Sequence, residues 1–137
     1  MKILFISVIF ILIILNILVQ ENIIEVTKES IVTKCSGLNV TDTAYCLRGN
    51  IKTFYKFNST KDSINLSFNE LKEKGGDCRN YAFLYEELGS SLGFNATTIR
   101  TEGIKGVMPA HRIAVIYDSI TYCKLDQTKV DCRSILD

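Results

Sequence analysis

The chain has 137 residues, and its sixteen basic and fifteen acidic side chains leave a formal net charge of +1. No Lys/Arg cluster forms a stripe that could follow a phosphate backbone, so nucleic acid is not an expected partner. Once an apolar leader is subtracted, about 100 residues remain, enough for one domain with one core.

Residues 3–19 are apolar except for Ser7 and Asn16, and they stand between Lys2 and the acidic pair Glu21 and Glu25. The run reaches the lower end of the roughly 17–25 residues that cross a bilayer, and Val19-Gln20-Glu21-Asn22 has no small-residue cleavage pattern. Residues 1–20 are therefore expected to form an N-terminal membrane anchor that leaves the N-terminus in the cytoplasm and exports the rest. A cleaved signal followed by secretion is the alternative, and both place the domain outside. Residues 21–34 are polar and mixed and read as a stalk, which leaves residues 35–137 as the domain.

Two features agree with export. Asn-x-Ser/Thr sequons at Asn39, Asn58, Asn65 and Asn95 suggest a glycosylated surface. Five cysteines allow two disulfides and leave one thiol over.

Along the domain, Thr41-Asp42-Thr43 is expected to start a helix running to about Phe57, with Leu47, Ile51, Phe54 and Tyr55 at helical spacing. A Cys35–Cys46 bridge would staple the incoming chain to it. Residues 58–65 read as a loop, and Ser67-Phe68-Asn69-Glu70 has capping-box spacing for a short helix through Lys74. Gly75 and Gly76 stop that helix. Asp77 then caps the principal helix, whose apolar face is Tyr81, Leu84, Tyr85, Leu88 and Leu92, with Gly93 as its stop.

Beyond Gly93 the apolar period changes from helical to extended. Strands are expected at 96–101, 111–117 and 120–125, with a Gly- and Pro-containing loop over 102–110. Helices first and an antiparallel sheet second make an α+β fold, with the long helix packed on the sheet.

Cys78 stands in the first turn of that helix, where unpaired N–H groups and the positive end of the dipole favour a thiolate. A tight turn at Asp118-Ser119 would pair Tyr117 with Ile120 and, continuing along the strands, His111 with Asp126. Opposed residues share a face, so the carboxylate could orient the imidazole. Chemistry then assigns the roles. Cys78 attacks an acyl carbon, His111 moves the proton, and Asp126 fixes the imidazole's tautomer. The backbone N–H of Cys78 is a natural oxyanion donor, and the sequence identifies no second one.

Each assignment has a plainer rival. Cys78 could be a structural disulfide partner, but Cys123 can bridge Cys132 across the next turn, and with Cys35–Cys46 the other four cysteines are consumed. His111 is the only histidine, and a lone histidine is more often a surface or satisfied core residue. Asp118 competes with Asp126 but sits at the far end of the hairpin. The sequence has no Cys-x-x-Cys or paired-histidine spacing, so neither a metal site nor a cofactor is expected.

Gly76-Asp77-Cys78-Arg79-Asn80-Tyr81-Ala82, followed by Leu92-Gly93-Phe94-Asn95-Ala96, resembles the transglutaminase-like superfamily of cysteine enzymes. In that family a nucleophilic Cys opens a helix, a His begins a strand, and an Asp follows an aromatic-containing strand. Cys78, His111, and Asp126 in Tyr122-Cys123-Lys124-Leu125-Asp126 are similar to that order. The resemblance covers roughly residues 54–128 and implies a papain-like core, no cofactor, and acyl transfer on a protein or peptide substrate. Hydrolysis is the expected outcome. A cross-linking transglutaminase, or a silent membrane-anchored binding module, is the alternative. Asn80 where many members have an acid, Arg112 after the histidine, and Tyr122 in the usual aromatic slot depart from the family pattern.

Overall fold

The computed structural model describes residues 2–20, 25–59, 66–104 and 110–136, with the side chains of Lys2 and of residues 18–20 left out. In chain order the elements are α1 (Lys2–Gln20), α2 (Lys28–Cys35), α3 (Val40–Lys52), α4 (Phe68–Lys74), α5 (Cys78–Ser91), β1 (Asn95–Thr101), β2 (His111–Tyr117), β3 (Thr121–Leu125) and β4 (Val130–Ser134). The fold class is α+β, as expected. The described helices precede a four-stranded antiparallel sheet of order β1-β2-β3-β4.

Helix α1 is an apolar helix whose described side chains, 3–17, are all exposed. Its polar Asn16 satisfies itself by donating Nδ2 to the Leu12 carbonyl at 2.8 Å. Among the described residues no helix is long and apolar enough to cross a membrane, so the expected anchor over residues 1–20 is not found there.

The stalk reading is corrected more directly. Thr27 caps α2 through a reciprocal box with Ser30, and the helix sends Ile31 and Cys35, both 0 % exposed, into the core. The packed body therefore begins before residue 35, with Val26 already resting against it. An eight-residue helix carrying few apolar side chains gives little periodicity to read.

Helix α3 is capped by Asn39, whose side chain accepts from the Asp42 N–H at 2.8 Å, rather than by a residue of Thr41-Asp42-Thr43. It ends at Lys52, short of Phe57, because the Thr53 N–H and hydroxyl both turn back to the Asn50 carbonyl. Helix α4 has the expected capping box between Ser67 and Glu70.

Helix α5 packs over β1 and β2, and α3 packs over β3 and β4. Between them Leu47, Ile51, Tyr81, Tyr85, Leu88, Ala114, Ile116 and Leu125 form a core at 0–1 % exposure. Gly89 brings α5 close to the sheet, since a Cβ there would lie 2.5 Å from Ile116 Cγ2.

Both disulfides are closed, Cys35–Cys46 and Cys123–Cys132, and Cys78 is the free cysteine. Two disulfides point to an oxidising, extracytoplasmic environment. The second ties β3 to β4, a strand that the sequence reading lacks. Of the sequons, Asn65 lies outside the described residues. Asn39 and Asn95 are exposed, and Asn58 donates Nδ2 to the Lys74 carbonyl at 3.0 Å.

Candidate active site

The site begins where α4 ends. Gly75 adopts a φ of 79°, open to glycine at little cost, and a Cβ there would collide with the Lys56 carbonyl oxygen. That close approach lets residues 56–58 run parallel to the glycine pair. The Gly76 N–H donates to the Lys56 carbonyl and the Asn58 N–H to the Gly76 carbonyl, each at 3.0 Å. The buried Tyr81 hydroxyl locks the same ledge, accepting from the Lys56 N–H at 3.0 Å and donating to the Lys56 carbonyl at 2.9 Å.

Asp77 then opens α5. Its Oδ1 accepts from the N–H groups of Arg79 and Asn80, and Asn80 Oδ1 accepts from the Asp77 N–H. The cap therefore serves the second and third residues of the helix. The N–H of Cys78, the first, makes no hydrogen bond among the described residues. Asp77 Oδ2 also takes Nε and Nη2 of Arg79 at 3.0 and 2.6 Å. Burial alone would raise the Asp77 carboxyl, but these bonds outweigh it and hold it below the usual carboxylate range.

The half-buried thiol of Cys78 opens into a cleft of about 480 Å³. His111, Arg112 and Gln127 line the same cleft, so the first turn of α5 and the start of β2 share one cavity. Among the described residues no hydrogen bond joins Cys78 to His111. The thiol and the imidazole thus line the cleft without being directly paired.

His111 is paired with a carboxylate. Its Nε2 lies 3.2 Å from Asp126 Oδ2. The remaining carboxylate oxygen, Oδ1, accepts from the Thr128 N–H, the Thr128 hydroxyl and the Lys129 N–H at 2.7, 2.5 and 2.9 Å. Burial pushes the Asp126 carboxyl up, but the bonds from Thr128, Lys129 and His111 together hold it below its ordinary value. An ionised Asp126 can only accept, so the tautomer that satisfies this contact carries its hydrogen on Nε2 and its lone pair on Nδ1.

The pair forms in a different register from the expected one. Tyr117 faces Tyr122, not Ile120, and Val115 faces Lys124. The Asp118 carboxylate accepts from both the Ile120 and Thr121 N–H groups at 2.8 Å, which centres the turn on Ser119-Ile120. A shift of two residues keeps every side chain on its face. His111 and Asp126 consequently meet as diagonal neighbours on the shared face.

Several residues of the site have no signal in the sequence. Arg48, on α3, donates Nη2 to the Thr128 carbonyl at 2.7 Å and so holds the turn that carries Asp126. Burial raises the Tyr55 phenol above its usual range, with Gln127 at the hydroxyl opposing the change and the charges of Cys78 and Asp126 adding to it. Tyr55 therefore lies near both. Arg79, Arg100 and Arg112 also line the cleft. Long-range placement of this kind leaves no pattern in local spacing.

Comparison with family models, with curated proteins and with solved structures finds no match for this chain. The likeness to transglutaminase-like enzymes accordingly rests on the three sequence blocks around Cys78, His111 and Asp126. Among the described residues no cluster of His, Cys, Asp and Glu is suited to hold a metal ion.

Proposed function

We propose that this protein is an extracytoplasmic, cysteine-dependent acyl-transfer enzyme with a papain-like, transglutaminase-like core, acting on a protein or peptide. The observation that carries the reading is that the free cysteine opens a helix into the same cleft as a histidine already bonded to a partly buried carboxylate.

The chemistry needs no other group. Cys78 sulfur attacks the acyl carbon, and its proton passes to His111 Nδ1. The Cys78 N–H, left open by the Asp77 cap, would serve as the oxyanion donor. Collapse breaks the C–N bond, His111 protonates the departing amine, and a thioester remains on Cys78. Water, deprotonated by His111, then attacks the thioester and releases the acid, which regenerates the thiol. An amine in place of water gives transamidation. Hydrolysis is preferred here because so small a domain offers little surface for a dedicated amine site. The apolar leader would serve as the export signal, either retained or cleaved.

A catalytically silent binding module is the competing reading, and the lack of a direct Cys78–His111 hydrogen bond favours it. Active-site hydrogen bonds often tighten only when substrate binds, so a thiol and an imidazole unpaired with each other in one cleft are compatible with catalysis. Incubation of the full chain with a peptide library, with and without a primary amine and read by mass, tests the proposal. Cleaved or deamidated peptides lost in Cys78→Ala support hydrolysis, and amine adducts support transamidation. A library unchanged by the protein under both conditions refutes the proposal.

A further inference from the structure

Arg100 on β1 and Arg112 on β2 are direct register partners, and both line the cleft that holds Cys78. Side chains opposed across an antiparallel pair stand about 4.5–5.5 Å apart at Cβ, and like charges placed there repel. In an isolated domain a carboxylate between them would relieve that cost. The cleft's carboxylate among the described residues is Asp77, and it is already committed to Arg79 through two bonds. Arg112 is held by neutral groups, donating Nη1 to Thr98 Oγ1 at 2.9 Å with its guanidinium 5.5 Å from the Phe83 ring centroid. The guanidinium of Arg100 makes no hydrogen bond or ion pair among the described residues. Two cations are thus opposed, one pre-positioned and one uncommitted, beside the candidate nucleophile.

We infer that the Arg100–Arg112 pair recognises a carboxylate next to the acyl group, so that the substrate is an acidic peptide carrying Asp or Glu beside the scissile amide. This rests on the acyl-transfer reading above and adds the substrate class to it. Guanidinium is suited to the task because it stays charged and meets a carboxylate with two parallel N–H donors.

Two alkylating agents of nearly equal size separate this inference from the reading beneath it. Iodoacetate carries the carboxylate and iodoacetamide does not, and each forms an S–C bond on Cys78 with loss of iodide. An isolated thiolate repels iodoacetate and reacts faster with iodoacetamide. Here the iodoacetate-to-iodoacetamide rate ratio at Cys78 should exceed one and decline as salt rises toward 1 M. It should also fall roughly fivefold in Arg100→Gln and in Arg112→Gln. Arg133→Gln, which removes a cation paired with Asp131 outside the cleft, should leave the ratio unchanged.

Arg112→Gln also removes a packing contact, so Arg100→Gln is the decisive variant. A ratio unaffected by Arg100→Gln, with brisk iodoacetamide reaction retained, overturns the carboxylate assignment alone. If neither reagent modifies Cys78 faster than it modifies the urea-unfolded chain, the acyl-transfer reading falls and the inference with it. In turnover, peptides differing only as Glu against Gln beside the cleaved bond should differ in KM, and Arg100→Gln should remove the difference. A preference confined to phosphorylated peptides would overturn it.

Discussion

His111 Nε2 lies 3.2 Å from Asp126 Oδ2, while Asp126 Oδ1 is fixed by three donors from Thr128 and Lys129. One carboxylate oxygen anchors the group to its own turn and the other faces the imidazole. An Asn at this position keeps the shape but can present an N–H where the acceptor stood, which favours the wrong tautomer. Asp126→Asn should therefore lower Cys78 reactivity and turnover by about 100-fold or more while the fold survives. Asp118→Asn retains one acceptor oxygen for the Ser119-Ile120 turn and should change reactivity little. Rates of Cys78 alkylation in the two variants check this, and equal losses would contradict the assigned role of Asp126.

Arg48 acts one layer further out. It reaches from α3 to the Thr128 carbonyl, so the orientation of Asp126 depends on a helix distant in sequence. Its Nε is buried and has no hydrogen-bond partner among the described residues. Arg48→Met would remove both the useful bond and the orphaned donor, so stability should move by no more than about 1.5 kcal/mol. Turnover should fall several-fold through a looser Asp126, with a changed pH profile as the signature. Urea unfolding and the pH–rate curve measured together separate positioning from mere structural support.

Acid should destabilise the domain through Asp77 and Asp126. Both carboxyls sit below their ordinary values in the folded chain, the first by its bonds to Arg79 and Asn80 and the second by those from Thr128, Lys129 and His111, in each case against burial. A lowered folded value means that the unfolded chain binds protons more readily. The stabilisation is therefore complete above the unfolded value near pH 4 and is lost as pH falls through the lower folded value. Urea midpoints at pH 7, 5 and 3 should drop mainly in the last interval, and less so in Asp126→Asn. Asp77→Ala should also cost about 1 kcal/mol at pH 7 through the lost helix cap.

The parts of the fold legible in the sequence were those written in local chemistry. The Ser67–Glu70 and Asp77 caps, the Gly75-Gly76 stop, the apolar face of α5 and both disulfides depend on near neighbours. Helix α2 escaped because its burial rests on Ile31 and Cys35 alone, and β4 because its alternation extends over only five residues. The hairpin register differs from the expected one because Asp118 ends its strand and its carboxylate caps the turn from there, rather than lying inside the turn. His111 and Asp126 still met, since a two-residue slip preserves the face. Arg48, Tyr55, Gln127 and the opposed arginines come together only in three dimensions, and no spacing rule reaches them.

Acyl transfer by this protein requires that His111 activate Cys78 within the shared cleft. The direct measurement is the pH-dependent rate of iodoacetamide reaction at Cys78 in the native chain, mapped by peptide mass, with His111→Ala beside it. Selective reaction at Cys78 that falls at least tenfold in His111→Ala is the expected result. Equal rates in the two proteins, or a Cys78 found in a disulfide, would contradict it.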